Sequence, residues 1–382
     1  MVFVQENHTT DNYFGGLRPY GANVATDWPE QPNPPEADQP HDRKAYAQWL
    51  QNGTATRTQF DTLAVIPYYA YLAVTGAFLE NHCSGFGTNS TPNHLLLLGG
   101  QSPTLRNPPS DEDFEWDMPS VPGLADEAGL DWRCYTGEDH YPARYYTQLT
   151  DSPNLVPTSA FTADVAAGSL PALSYVWHES PGNEHPTQNV SDGMNAVWQA
   201  VDAVVKSGHW DDTVFLLTWD DWGGWDDHVR TPNVEHTPDG VQLAYGPRVP
   251  LIMFGGSVRP GIDSRWSSHV GVARTVMQLL GLPPLGVDRV DTDPGLADLI
   301  DPTLHQPPPP SYGSRISMPP PPSPRPQPAP MPPAPITASV PVPPVILRDG
   351  TTIPPPHDVL VRASRPPDPS TPKPAAPATD RA

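Results

Sequence analysis

Two adjacent carboxylates, Asp220 and Asp221, close an apolar run and carry the most chemical information in the chain. They stand in Thr218-Trp219-Asp220-Asp221-Trp222-Gly223-Gly224, just after Thr213-Val214-Phe215-Leu216-Leu217, which reads as a buried strand. In open α/β sheets, ligands bind outside the carboxyl ends of the strands. Adjacent acids placed there repel each other and lose hydration, and a cation is the simplest way to keep both ionised. The first residues repeat the arrangement: Met1-Val2-Phe3-Val4-Gln5 reads as a short strand, and Glu6-Asn7 follows at once. If the two strands are parallel neighbours, Glu6, Asn7, Asp220 and Asp221 emerge on one rim.

A hydroxyl and several imidazoles are candidates to work beside that rim. Ser90-Thr91-Pro92-Asn93-His94 opens an apolar stretch through Leu95–Leu98, and Pro92 suits a first helical turn, where its missing N–H is no loss. Backbone N–H groups at a helix start favour an anion. Ser90 is then either a helix N-cap or a nucleophile activated by a metal. His185 follows Glu184, a neighbour able to raise its proton affinity, which suits a general acid for a leaving alcohol. His228 follows Asp226-Asp227 and could touch phosphate; His41, in Pro40-His41-Asp42, could reach the same group from a long loop. His269 could cap the helix it begins or face the site, and His82 and His178 read as plain loop residues. Trp210, Trp219, Trp222 and Trp225 surround the acidic block, mostly as packing, with room for one or two to stack on an alkyl or cationic head group.

Several of these segments fall, in order, on the motifs of a known family. Glu6-Asn7-His8-Thr9-Thr10-Asp11-Asn12-Tyr13-Phe14-Gly15 resembles the opening E-N-x-[ST]-x-D-x-Y-F-G of the phosphoesterase family of bacterial phospholipases C and acid phosphatases. Ser90-Thr91-Pro92-Asn93-His94 is similar to the second half of its nucleophile segment, Asn183-Glu184-His185-Pro186 to its E-H-P element, and Thr218 through Val229 to its late acidic block. Tyr245 to Pro250 and Ser268-His269-Val270-Gly271 continue the series, so the resemblance runs from residue 2 to about 285. It implies an alkaline-phosphatase-like α/β fold, three-layer α/β/α around a central mostly parallel sheet. It also implies metal-dependent hydrolysis of phosphate esters, of phospholipase C or acid phosphatase type, through a serine nucleophile and a phosphoserine intermediate. Carried over residue by residue, it puts metal ligation on Glu6, Asn7, Ser90, Asp220 and Asp221, with Ser90 as nucleophile and His185 as acid. Asn7, His41, Asn93 and His228 would then surround the substrate, a phosphate ester and plausibly a phospholipid. An oxygen-rich ligand set favours one divalent cation, Ca²⁺, Mg²⁺ or Mn²⁺, with room for a second. Two departures stand out: Thr88-Asn89 replaces the family's Gly-Pro, and Asp221 stands where Glu is frequent.

The elements that must position these residues alternate between strand and helix, the α/β signature. Helices are expected at His41–Gly53, Pro67–Asn81, from Ser90 through the leucines, at Ser191–Gly208 (capped by Ser191 or Asp192) and at His269–Leu282. Further strands are expected at Leu130–Tyr135, Pro171–Trp177 and Val249–Phe254, with 82–89 as a loop. Residues 1–302 carry the apolar periodicity and form the expected catalytic domain. Residues 303–382 hold about half of the 55 prolines and read as a disordered tail. The chain's net charge is −22; seven Lys/Arg against four Asp/Glu make the tail +3, leaving the body at −25. Such a body repels nucleic acid and anionic membranes at long range, so nucleic acid is not an expected partner. Pro319–Pro322 and Pro324-Arg325-Pro326 resemble ligands of polyproline-recognising domains, with a plain spacer as the default. Cys83 and Cys134 could pair or remain buried thiols. No stretch is long enough to span a membrane, and no basic-then-apolar signal segment precedes the first strand. The expectation is an intracellular protein or a start downstream of the true one, whereas the resemblance suggests secretion. Two rival functions remain: a glycosidase working through two carboxylates, and a catalytically weak or inactive secreted binding protein recruiting partners through its tail.

Overall fold

The structure is a computed structural model that describes residues 1–109, 115–232, 235–236, 242–322, 340–341, 345–347 and 349–353. Its strands are β1 (Val2–Gln5), β2 (Ala77–Cys83), β3 (Trp132–Thr136), β4 (Leu155–Pro157), β5 (Leu173–Trp177), β6 (Phe215–Trp219), β7 (Glu235–His236), β8 (Gln242–Ala244), β9 (Leu251–Phe254) and β10 (Gly261–Ser268). Its principal helices are α1 (Thr10–Phe14), α2 (Arg43–Asn52), α3 (Thr62–Val65), α4 (Pro67–Thr75), α5 (Ser90–Gly99), α6 (Val121–Glu127), α7 (Ala160–Ala166), α8 (Val190–Lys206) and α9 (His269–Leu280).

Eight strands form one sheet in the order β10-β2-β9-β6-β1-β5-β3-β4. All run one way except β9, which is antiparallel to both β2 and β6. Side-chain alternation divides the core in two. Val2, Val4, Leu216, Leu251 and Met253 face one layer, with the leucines of α5 and the apolar side of α9. Phe3, Phe215, Leu217, Ile252 and Phe254 face the other, with Tyr68 and Tyr69 of α4 and Met194, Val197 and Val201 of α8. These are the two helical layers expected around a mostly parallel sheet.

The expected helix over Pro67–Asn81 is half right. It stops at Thr75, and Ala77–Cys83 is β2, buried along its whole length between β9 and β10. The mostly apolar run Pro67–Leu79, broken only by Thr75-Gly76, has no period to separate buried helix from buried strand, so sheet pairing decides. His82 therefore lies inside a strand instead of a loop. Helix α8 is capped two residues before Ser191, the earlier of the two expected caps: the Asn189 side chain accepts from the Ser191 N–H. Both cysteines are free and buried. Among the described residues, no helix is long and apolar enough to cross a membrane.

The first part of the Pro-rich segment lies on the body. Trp198 Nε1–H donates to Pro310 O and Trp210 Nε1–H to Gln306 O, each at 2.7 Å, and Tyr20 O–H donates to Pro319 O at 2.9 Å. Tyr312 stacks edge-on against Trp198. Indole N–H groups meeting carbonyls of an extended proline segment is the chemistry of polyproline grooves, here within one chain. Pro324-Arg325-Pro326 lies outside the described residues. Substituting Trp198→Phe or Trp210→Phe removes one such donor, worth about 1 kcal/mol each. Limited proteolysis of the full chain should then cut within residues 303–322 several-fold faster, about fivefold for that loss.

Candidate active site

Strands β1 and β6 lie side by side and parallel, with Gln5 opposite Trp219. The residues that follow them, Glu6-Asn7 and Asp220-Asp221, leave the sheet at the same rim. Both acids lie past the end of β6, so strand alternation does not send them to opposite faces. Asp220 N–H donates to Gln5 O at 2.9 Å, and Asn7 N–H donates to Asp220 Oδ1 at 2.8 Å. This stitching holds Asn7 at φ 59°, a left-handed conformation that asparagine tolerates better than most residues. Gly223 must be glycine here: its φ is 58°, and a Cβ would sit 2.1 Å from Asn7 O.

Ser90 is the first residue of α5, and the N-cap position belongs to Asn89, whose φ of −82° is close to what the family's proline would impose. The Ser90 Oγ–H therefore has another task. It reaches Asp221 Oδ2 at 3.2 Å and Asn7 Oδ1 at 3.4 Å. Asp221 Oδ1 accepts from Gly223 N–H at 2.7 Å.

Asp220 and Asp221 are fully buried. Burial, then the nearby Glu6 charge, pushes Asp220 up to about 6; burial, then Asp220 itself, pushes Asp221 well above the carboxylate range. Burial also acts on Glu6, but the imidazoles of His94 and His185 outweigh it and hold that carboxyl below its usual value. Asp220 Oδ2 has no hydrogen-bond partner. A buried, unpartnered carboxylate oxygen beside two more carboxylates, an amide oxygen and a hydroxyl fits a hard divalent cation.

His94 was not singled out from the sequence, yet its Nε2 lies 3.2 Å from Glu6 Oε1 and 3.4 Å from Asp220 Oδ2. Trp177 Nε1–H donates to His94 Nδ1 at 3.2 Å, so Nδ1 is an acceptor and Nε2 carries the proton. His94 is thus a donor to Glu6. Its signal was its distance from Ser90, four residues along one helix, the spacing that stacks side chains on one face. Asn93, expected at the substrate, has a different task. Its Oδ1 accepts from Phe86 N–H, and its amide donates to the carbonyls of Phe86, Thr88 and Asn89, holding the loop before α5.

His41 and His185 face each other, ring centres 6.5 Å apart. His41 Nδ1–H donates to Gln39 O at 2.6 Å, leaving Nε2 to accept from Asn7 Nδ2 at 3.4 Å. That contact orients the Asn7 amide with its oxygen toward Ser90. His185 Nδ1–H donates to Pro186 O at 2.6 Å, so Nε2 is the nitrogen left for proton transfer. Glu184 does not serve His185 as expected. Its side chain turns inward, where it accepts from Gln5, Tyr13, Tyr69 and Trp219. His228 also departs from expectation: it donates to Asp11 Oδ2 at 2.6 Å, in a network where Arg248 binds Asp11 and Asp227. His269 neither caps its helix nor lines the rim; its buried Nε2–H donates to the Asp220 carbonyl at 2.6 Å. Trp219, Trp222 and Trp225 are buried, with Trp222 N–H on the His41 carbonyl.

A model of the Phosphoesterase family matches residues 34–283. Non-specific phospholipase C5 of Arabidopsis thaliana is 31% identical over 217 residues, covering 50% of this chain and 38% of that protein. Non-hemolytic phospholipase C of Pseudomonas aeruginosa is 23% identical over 380 residues, covering 74% of this chain and 54% of that protein. The chain thus spans about half or less of the length of these relatives. Among solved structures, the lipoteichoic acid synthase LtaP from Listeria monocytogenes aligns with 77% of this chain and 76% of its own, at 13% identity and a TM-score of 0.42.

Burial lifts the Glu184 carboxyl to about 7 against the pull of four hydrogen bonds. The folded chain therefore holds this proton more tightly than the unfolded chain. The resulting stability is present below the ordinary glutamate value and lost as pH rises through about 7. Glu184→Gln removes this titration. In the metal-free protein it should flatten the fall in thermal midpoint between about pH 5 and 8, a difference readable by calorimetry.

Proposed function

Because the chain belongs to the Phosphoesterase family, we propose that its rim hydrolyses phosphate esters, with Ser90 as nucleophile and a divalent cation held by Glu6, Asn7, Asp220 and Asp221. The observation that carries this reading is the Ser90 hydroxyl, 3.2 Å from Asp221 and 3.4 Å from Asn7, beside the unpartnered oxygen of Asp220. A bound cation supplies positive charge that lowers the proton affinity of the hydroxyl and offsets charge developing on the phosphoryl oxygens. The chain's residues do the rest. Ser90 Oγ attacks phosphorus in line, and its proton passes toward Asp221 Oδ2, the atom it already faces. His185 Nε2–H gives its proton to the leaving oxygen, while Nδ1–H stays on the Pro186 carbonyl. The same nitrogen then takes a proton from water, whose oxygen displaces Ser90 from phosphorus, and Ser90 Oγ takes back its proton from Asp221 Oδ2. The N-terminus of α5 adds its partial positive charge at the phosphoryl group.

Charge favours a diester substrate. Glu6, Asp220 and Asp221, all ionised, with one divalent cation leave the ligand set at −1. A phosphodiester brings one negative charge to this rim, whereas a monoester dianion brings two. The phospholipase C names of the relatives agree with this choice, and a phospholipid is the substrate we propose. The strongly acidic body speaks against nucleic acid.

Ser90→Ala should lower turnover of an aryl phosphodiester by about a thousandfold or more while the chain keeps its fold and most of its metal affinity. Chelation should abolish turnover in the parent, and Mn²⁺, Mg²⁺ or Ca²⁺ should restore it. Near-parental turnover by the Ser90→Ala chain would sink the assignment.

A further inference from the structure

Glu184 is fully buried, and its carboxylate is spent on four donors. Oε1 accepts from Gln5 Nε2 at 2.8 Å and from Tyr69 O–H at 2.6 Å; Oε2 accepts from Tyr13 O–H at 2.6 Å and from Trp219 Nε1–H at 2.9 Å. The sequence neighbours of these groups matter more than the bonds themselves. Gln5 ends β1 and immediately precedes Glu6; Trp219 ends β6 and immediately precedes Asp220; Glu184 immediately precedes His185. One carboxylate thus joins the three backbone segments that present the oxygen rim and the proposed acid. Two further bonds close the same corner: Glu6 N–H donates to Asn183 O at 2.9 Å, and Gln5 Nε2 to Gly182 O at 3.1 Å.

Two features show that the fold is built around this side chain. Glu184 sits at φ 70°, a conformation that costs a residue with a side chain and persists only where its surroundings over-determine it. Helix α8 leaves a gap for it at Gly193, where a Cβ would come within 2.1 Å of Glu184 Cγ. An apolar residue would fill that space without desolvating a carboxyl. A four-acceptor carboxylate adds direction, because each donor has one good approach.

We infer that Glu184 is the positioning residue of this site: it fixes the spacing of the strand ends bearing Glu6 and Asp220 against the loop bearing His185, and touches neither cation nor substrate. The inference rests on the phosphoesterase reading of the rim, and the test separates the two.

In the full chain, Glu184→Asp keeps the charge and shortens the reach. It should weaken Mn²⁺ binding, measured by calorimetry, by about tenfold or more, as removal of supporting partners of metal ligands does. It should also lower kcat more than it raises KM, and shift the NMR resonances of His185. Should Glu184→Asp fail to fold, Gly193→Ala keeps every polar partner and crowds the same carboxylate; it should move all three readings in the same direction. Tyr13→Phe is the control, since it deletes a donor to Glu184 that is not followed by a rim residue; Mn²⁺ affinity and the His185 resonances should stay near those of the parent. Parental Mn²⁺ affinity and parental His185 resonances in Glu184→Asp or in Gly193→Ala overturn the positioning role while the metal reading stands. A Tyr13→Phe chain that loses as much Mn²⁺ affinity as Glu184→Asp overturns it too, because general loosening would then explain both. A parent chain that binds no Mn²⁺, Mg²⁺ or Ca²⁺ overturns the metal reading instead, and the His185 resonances alone then decide the role of Glu184.

Discussion

The parallel pairing of β1 with β6 is the constraint on which the site depends. It brings the first residues of the chain beside residues 220–221 and forces Glu6, Asp220 and Asp221 into one nearly water-free corner. Left alone, three such carboxylates would repel one another and raise each other's proton affinity. The surroundings answer that problem with directed hydrogen bonds: Asn7 N–H to Asp220, Gly223 N–H to Asp221, His94 to Glu6. One oxygen of Asp220 is still left without a hydrogen bond, with His94 Nε2 3.4 Å away. The fold thus concentrates negative charge and satisfies most of it with directed hydrogen bonds, leaving an oxygen-rich corner whose chemistry fits a hard cation.

Much of this was legible in the sequence because its signals are local. An apolar run followed by two acids fixes a strand end, and Ser-x-Pro opening a leucine run fixes a helix start. Together with the short strand Met1–Gln5 before Glu6-Asn7, those features placed Glu6, Asn7, Ser90, Asp220 and Asp221, and the structure brings all five together. What was not legible depends on side-chain direction across distant segments. Asn93 and His94 both lie near the Ser90 face by spacing, and only the loop 86–89 shows that Asn93 is consumed by backbone while His94 turns to the rim. Glu184 looks like a partner of His185 by adjacency, yet its positive φ turns the side chain inward. His228 looks like a phosphate contact because of the acids before it, but Arg248, far along the chain, draws Asp227 and Asp11 into a separate ion-pair network that also takes in His228. The strand β2 was hidden for a different reason: it is buried on both faces, and its polar Glu80-Asn81-His82 fall consecutively, so its pattern carries no alternation.

The two helical layers contribute unequally. The α5 side supplies Ser90 and His94 directly, while the α4 and α8 side supplies support through Tyr69 and the gap at Gly193. His269, at the start of α9, holds the Asp220 main chain from below. Side chains at the rim and side chains that hold it can share an element: α5 carries Ser90 and His94 beside Asn93, and His185 follows Glu184.

The hydrogen bond from Trp177 to His94 has a consequence for metal choice. By occupying Nδ1 it keeps the proton on Nε2, so the imidazole of His94, within reach of both Glu6 and Asp220, has no lone pair to offer. An ion seated there would meet oxygen alone. Zinc and copper gain most of their advantage over lighter ions from nitrogen and sulfur, and that advantage is withheld. Through that one hydrogen bond, the indole would act on the choice of ion without touching it.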